Sequence, residues 1–288
     1  MSSRHQLHTL SGRKLLLGKQ LGKGGEGTVY EVDGDPSIAA KIYHPQIANQ
    51  RQDKILAITR AKWHTTAPNV AFPIDSLLSA SGTFSGFTMR RVGGHKPVHT
   101  LYSPTSRKTD FPKANFRFLL RAALNISRAL ASVHSTCCVV GDINHSGILV
   151  SDDATVTLID CDSFQVQSAG KVYFCKVGVP EFTPPELQGK HLSQVLRTPN
   201  HDVFGLAVLV FNLLFMGRHP YAGKFLGRGD MPMETAIAQY RFAYSARRNE
   251  TRMEPPPHVP LLSDIPRELA EEFEIAFGQI GPANPANA

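Results

Sequence analysis

Gly22, Gly24 and Gly27 precede Val29 in the pattern G-x-G-x-x-G-x-V, and Lys41 follows within an apolar run, Ile38-Ala39-Ala40-Lys41-Ile42-Tyr43. Glycines let backbone N–H groups approach phosphate oxygens closely, and a lysine ammonium can reach the same oxygens. A lysine among apolar neighbours needs an anionic partner, because burying a lone charge is costly. Far downstream, two carboxylates end neighbouring apolar segments. Asp142 follows Val139-Val140-Gly141, and Asp160 follows Val156-Thr157-Leu158-Ile159, with Asp162 two positions on. Such acids are either solvated loop residues or ligands of something polar in a cleft.

The surrounding elements narrow that choice. A dinucleotide-binding turn would need a helix after its glycines. Here the glycines run into Thr28-Val29-Tyr30-Glu31-Val32, a β-branched strand of period two, preceded by a strand over Leu15–Leu21. The turn Asp33-Gly34-Asp35-Pro36 closes a hairpin onto the Lys41 strand, which Pro45 ends. A helix is expected over Ile47–Ala61, with Asp53 its one carboxylate. Strands are expected at Val70–Ile74 and Gly86–Met89, then a glycine-containing link, Arg90–Gly94. Phe118, Leu119, Ala122, Ala123, Ile126, Leu130 and Val133 recur at helical spacing and lead through His134 to the Asp142 stretch. Residues 163–182 show little regular pattern, and an irregular segment of that length inside a compact domain is usually functional. An apolar helix over Val203–Met216 and a last helix over Pro266–Phe277 complete the expected elements. Residues 1–14 read as a loose polar lead-in and Gly281–Ala288 as a tail without structural signal.

The 288 residues suffice for one large domain or for two lobes sharing a cleft. A net charge of +7 suits an anionic ligand or partner. Lys and Arg are scattered without a run of five, so a dedicated nucleic-acid arm is not expected. Cys137, Cys138, Cys161 and Cys175 show neither metal-site nor disulfide-framework spacing, so reduced thiols of a cytoplasmic protein are expected. The N-terminus has no apolar core of a secretory signal, and no run is long enough to span a bilayer.

Taken in order, these segments resemble a eukaryotic-like protein kinase catalytic domain over about residues 12–280. The glycine loop, Ile38-Ala39-Ala40-Lys41, Asp142, Asp160, Pro184-Pro185-Glu186 and Asp202-Val203-Phe204 fall where that family carries its signatures. Asp160 follows Gly147 by thirteen positions, the family's interval between its loop Asn and metal-binding Asp. The wording Gly141-Asp142-Ile143-Asn144, Asp162-Ser163-Phe164-Gln165-Val166 and Phe211–Pro220 resembles a bacterial subgroup associated with tellurite-resistance and stress operons. The resemblance implies an α+β bilobal fold: a small, mainly β N-lobe over residues 1–92 and a larger, mainly α C-lobe over 93–288. It implies ATP and Mg²⁺ as cofactors and a protein substrate, with no nucleic-acid or membrane partner. A metal-dependent protein phosphatase and a von Willebrand factor A-domain protein are implied partners. Many members carry further C-terminal domains, so this chain can be a fragment.

Carried over residue by residue, the resemblance makes Asp142 the base for the acceptor hydroxyl and gives the non-transferred phosphates to Lys41. Gly22, Gly24 and Gly27 would cover ATP. Adenine would lie among Val29, Ala39 and Leu149, with Met89 behind it and the Arg90–Val92 link at its edge. Asp160 would hold Mg²⁺. Asp53 is the candidate helix acid for Lys41, Asn144 a candidate phosphate or metal contact, and Asp162 a second metal candidate. Four departures from the family stand out. Val140 and Gly141 replace His and Arg, Gly147 replaces the Asn that binds a second metal, and Cys161 and Asp162 follow the metal Asp. No Arg follows Arg267 to pair Glu186. The expected function is ATP-dependent transfer to Ser/Thr hydroxyls; the alternative is a nucleotide-binding pseudokinase scaffold.

Overall fold

The computed structural model describes residues 6–278; the first five residues of the lead-in and the Gly281–Ala288 tail lie outside that range. Strands β1 (Gln6–Thr9), β2 (Lys14–Lys23), β3 (Gly27–Val32), β4 (Asp35–Tyr43), β5 (Pro73–Ser79) and β6 (Phe84–Arg90) form a closed barrel in the order β1-β2-β3-β4-β6-β5. Residues 6–9, expected to be loose, are the strand that closes it, pairing with both β2 and β5. The reason is Leu7, which is buried with Leu15, Val32, Ala40 and Leu77 inside the barrel. Helix α1 (Pro45–Ala61) and the short α2 (Trp63–Thr66) lie between β4 and β5. Ala48, Ile55 and Ile58 form the apolar side of α1, which packs on β5 and β6.

After β6 come β7 (His95–Pro97), α3 (Val98–Tyr102), α4 (Pro104–Asp110) and α5 (Phe116–His134). Asn115 caps α5, its side-chain oxygen accepting the Phe118 N–H at 3.1 Å. Leu119, Ala122, Ala123, Ile126, Ala129, Leu130 and Val133 bury the expected face. The chain then forms β8 (Cys138–Val139), β9 (Ile148–Ser151), β10 (Val156–Leu158), β11 (Gln165–Ser168) and β12 (Lys171–Tyr173). The strand expected over Val70–Ile74 begins only at Pro73, and residues 69–71 bond across to β10. Leu158 N–H donates to Asn69 O at 3.0 Å, and Ala71 N–H to Leu158 O at 2.9 Å. The barrel is thereby tied to the segment that ends in Asp160.

Residues 163–182, expected to be irregular, contain the β11–β12 hairpin. Ala169 (φ 48°) and Gly170 (φ 76°) both turn left-handed, the geometry that matches strand twist in a two-residue loop. β11 also pairs with β8, so the hairpin is anchored rather than free. Helix α6 (Pro199–Leu214) packs against α5 and, after α7 (Met233–Ala238), β13 (Lys224–Phe225), α8 (Arg248–Thr251) and β14 (Met253–Glu254), against α9 (Arg267–Phe277). Phe211, Phe215, Phe242, Phe273 and Phe277 meet in one aromatic cluster at that junction. Among the described residues no helix is long and apolar enough to cross a membrane.

Candidate active site

Asp142 owes its position to a buried acid in another helix. Asp202, on the first turns of α6, is 1% exposed. Its carboxylate accepts the backbone N–H groups of Val140 and Gly141, both at 2.8 Å, and lies 2.9 Å from His134 Nε2. Three contacts from the end of α5 and the following loop thus converge on one carboxylate, which fixes the approach to Asp142. Gly205 allows the same closeness one turn later, since a Cβ there would stand 2.7 Å from Ile143 Cβ. Gly141 has φ 72°, and a Cβ on it would meet Cys175 Cβ at 2.7 Å. Arg197 lies against that glycine, donating to Gly141 O at 2.9 Å and to Val177 O at 3.3 Å. A buried arginine from the segment before α6 thus sits where the loop itself offers no side chain.

Asp142 Oδ1 is buried and has no hydrogen-bond partner. Burial pushes the Asp142 carboxyl up from the usual carboxylate range, against the pull of Asn144, the Val179 backbone and Arg197. Asn144 folds the next turn. Its side-chain oxygen accepts the Ser146 N–H at 2.8 Å and the Gly147 N–H at 3.1 Å, while its amide donates to Asp142 O at 3.0 Å. Asn144 therefore spends its polar atoms on the loop that carries Asp142, although it still lines the cavity.

Above this loop lies a cavity of about 420 Å³, roofed by the β2–β3 turn and lined by Gly22, Gly24, Gly27, Val29, Lys41, Asp142, Asn144, Gly147, Asp160 and Asp162. The sequence thus brings the glycines, the lysine and the acids to one place. Ala39 and Met89 face each other across β4 and β6, next to the Lys41–Phe87 pair, and Leu149 pairs with Thr157. These three, with Arg90 and Val92, lie outside the cavity lining. The Arg90 guanidinium instead donates to Thr157 Oγ1 at 3.2 Å. The glycines differ in purpose. A Cβ on Gly27 would strike Ile42 O at 2.2 Å, so strand packing requires that glycine. A Cβ on Gly22 or Gly25 would meet nothing within 4 Å. Neither packing nor backbone conformation explains those two, and their backbone is left open to close approach by a ligand.

Asp160 has φ 58°, a left-handed conformation of the kind that collects at functional sites. Its side chain is 64% exposed to the cleft, and its nearest cation is Lys41 Nζ at 3.9 Å. Loss of hydration at the cleft floor, then the charges of Asp162 and Asp142, push its carboxyl upward while Lys41 opposes them. A carboxylate crowded by two other acids gains from a bound cation, so the residues present fit Mg²⁺. No group of three or more His, Cys, Asp or Glu side chains is arranged for a metal among the described residues. Phosphate oxygens and water would then complete the coordination.

Lys41 does not pair with Asp53. Asp53 is exposed and bonds Lys171 of β12 at 3.2 Å. Asp162, given to a metal from sequence, is 1% exposed and receives Lys41 Nζ at 2.9 Å on Oδ1 and 2.7 Å on Oδ2. Tyr43 Oη donates to Oδ2 at 2.7 Å. Glu186, for which the sequence offers no late Arg, has His201 Nε2 at 3.6 Å. His201 Nδ1 accepts the Thr198 N–H, which leaves Nε2–H to point at the acid in the neutral ring. Sequence reasoning missed Arg197, Tyr43 and His201, since none carries a local signal of its role.

The profile of the protein kinase domain family matches residues 15–261. The chain is 40% identical over 280 residues to "Protein kinase YegI" of Escherichia coli O157:H7, covering 96% of this chain and 43% of that one. It is 39% identical over 286 residues to the protein of that name from Escherichia coli K12, covering 98% and 44%. A shorter match, 27% over 106 residues, joins 37% of this chain to 7% of a mouse "PAS domain-containing serine/threonine-protein kinase". The chain spans less than half the length of its two bacterial relatives.

Proposed function

Because the chain belongs to the protein kinase domain family, we propose that it binds ATP with Mg²⁺ and transfers the γ-phosphoryl group to Ser or Thr hydroxyls of a protein, itself included. The observation that carries this reading is Asp142 Oδ1, a buried carboxylate oxygen without a partner on the wall of the cavity under the glycine loop. A buried acceptor left unpaired is costly unless a ligand satisfies it. There it would accept the proton of the acceptor hydroxyl as the oxygen attacks phosphorus. Lys41 would hold the non-transferred phosphates, with the backbone at Gly22–Gly25 over them. Mg²⁺ supplies charge neutralisation of the phosphates, and Asp160 is the side chain placed to hold it. The Ser/Thr preference draws support from the sequence resemblance and from the name of the mouse relative. Phosphatase and von Willebrand factor A-domain partners rest on the subgroup resemblance alone.

A nucleotide-binding scaffold is the second reading, and Gly147 favours it, because that position offers no side-chain oxygen for a second ion. Incubation with Mg²⁺-ATP followed by mass-spectrometric mapping of phosphosites separates the two. New phosphoserine or phosphothreonine on the chain or on an added protein supports transfer. Nucleotide binding without any new phosphosite would leave the scaffold reading in its place.

A further inference from the structure

Helix α1 faces Lys41 without an acid to offer it. Its one carboxylate, Asp53, points outward to Lys171. The charged side chains on its inner side are cations, Arg51 and Lys54, beside the apolar Ala48, Ile55 and Ile58. Arg51 bonds Glu26 of the glycine loop, and Lys54 is 3% exposed with no hydrogen-bond partner for its ammonium. The acid instead arrives from the chain just past Asp160. Asp162 meets Lys41 with both oxygens and is steadied by the Tyr43 hydroxyl. A carboxylate in three such contacts, nearly closed to solvent, has little left for a metal ion.

We infer that Asp162 is the positioning residue for Lys41, holding its ammonium at the phosphate site in place of an acid on helix α1, and that Tyr43 orients Asp162. This rests on the proposed role of Lys41 in binding nucleotide phosphates. The turn carrying Asp160 and Asp162 is closed by Ser163 N–H to Asp160 O at 3.0 Å and Phe164 N–H to Cys161 O at 3.3 Å. One short turn therefore sets both the phosphate-binding cation and the open carboxylate.

The test is a double-mutant cycle on ATP affinity, with thermal unfolding of each variant measured in parallel. Asp162→Asn should raise the KM for ATP roughly tenfold, with a smaller change in kcat, Asp162→Glu should restore it, and Asp53→Asn should leave it unchanged. Added to Lys41→Met, Asp162→Asn should cost no further affinity, because it acts through the ammonium already removed. Additive losses in folded variants, or a KM unmoved by Asp162→Asn, would overturn the inference. Failure of the wild type to bind ATP would overturn the proposed function instead; the rate of Lys41 acetylation by acetic anhydride at one fixed pH would then decide the role of Asp162, a faster rate in Asp162→Asn supporting it and an unchanged rate overturning it.

Discussion

Replacing Lys54 with Met should stabilise the protein. The lysine is 3% exposed, and its ammonium has no hydrogen-bond partner. Burial, with Arg51 adding repulsion, pulls its pKa from 10.5 down to about 8. The native state therefore releases this proton near pH 8, while the unfolded chain keeps it until about pH 10.4. Below pH 8 the charged lysine costs the fold roughly 3 kcal/mol, since each pH unit between the two values is worth about 1.4 kcal/mol. That cost shrinks as pH rises through the window between them, where the unfolded chain binds more protons. Methionine keeps the unbranched shape without the charge. Allowing for imperfect packing, Lys54→Met should gain about 1–3 kcal/mol at pH 7, roughly 2–10 °C in Tm. The assay is urea unfolding of both proteins at several pH values from 7 to 10.5. The gap should be widest at pH 7 and close toward pH 10.5. A variant less stable than wild type at pH 7, or a gap indifferent to pH, would show that the ammonium has an anionic partner in solution.

Other expectations follow from single contacts. Gly147→Asn should fold normally, because a Cβ there meets Ile159 O at 3.9 Å, an ordinary contact; the Mg²⁺ concentration for half-maximal transfer should stay or fall, and a rise would remove this position from the metal site. Changing Ser163 and Ser168 to Ala with Tyr173 to Phe should leave transfer largely intact, since Arg197 is already bonded to Gly141 O and Val177 O. Loss of transfer in that folded triple variant would mean that a phosphate there is needed. Asn144→Ala releases the Ser146 and Gly147 N–H groups, at a cost of about 1 kcal/mol, and should slow transfer by loosening the turn under Asp142. Asn144→Asp, which keeps the acceptor oxygen, should recover most of it, and a transfer curve against Mg²⁺ identical to wild type in Asn144→Ala would remove that role.

The site was legible where chemistry depends on residue type at a fixed interval. The glycine pattern, Lys41, Asp142 and Asp160 could be read off the chain because the phosphate chemistry proposed for them leaves few substitutes, and all line the same cavity. The partners of those residues were not legible. Asp162 lies two positions from Asp160, which suggests a shared metal, yet the left-handed turn at Asp160 sends the second acid inward to Lys41. Lys54 reads as an ordinary surface lysine until α1 is docked on the barrel. Helices α5 and α6 announced themselves through apolar periodicity. The short strands β1, β11 and β12 did not, because three or four residues carry too little pattern and their pairing is long-range. Ala169-Gly170 is a weaker turn signal than Asn-Gly, although it adopts the same left-handed pair.

The most direct test of the kinase account is phosphate incorporation from γ-labelled ATP and Mg²⁺ into protein by the wild type and by Asp142→Asn, Lys41→Ala and Asp160→Asn, with ATP affinity measured in parallel. The wild type should incorporate label. Asp142→Asn should bind ATP as the wild type does and transfer on the order of 100-fold more slowly or less, whereas Lys41→Ala and Asp160→Asn should lose transfer by losing the phosphates and the metal. A wild type that binds ATP but incorporates no label, or an Asp142→Asn variant that transfers at the wild-type rate, would contradict it.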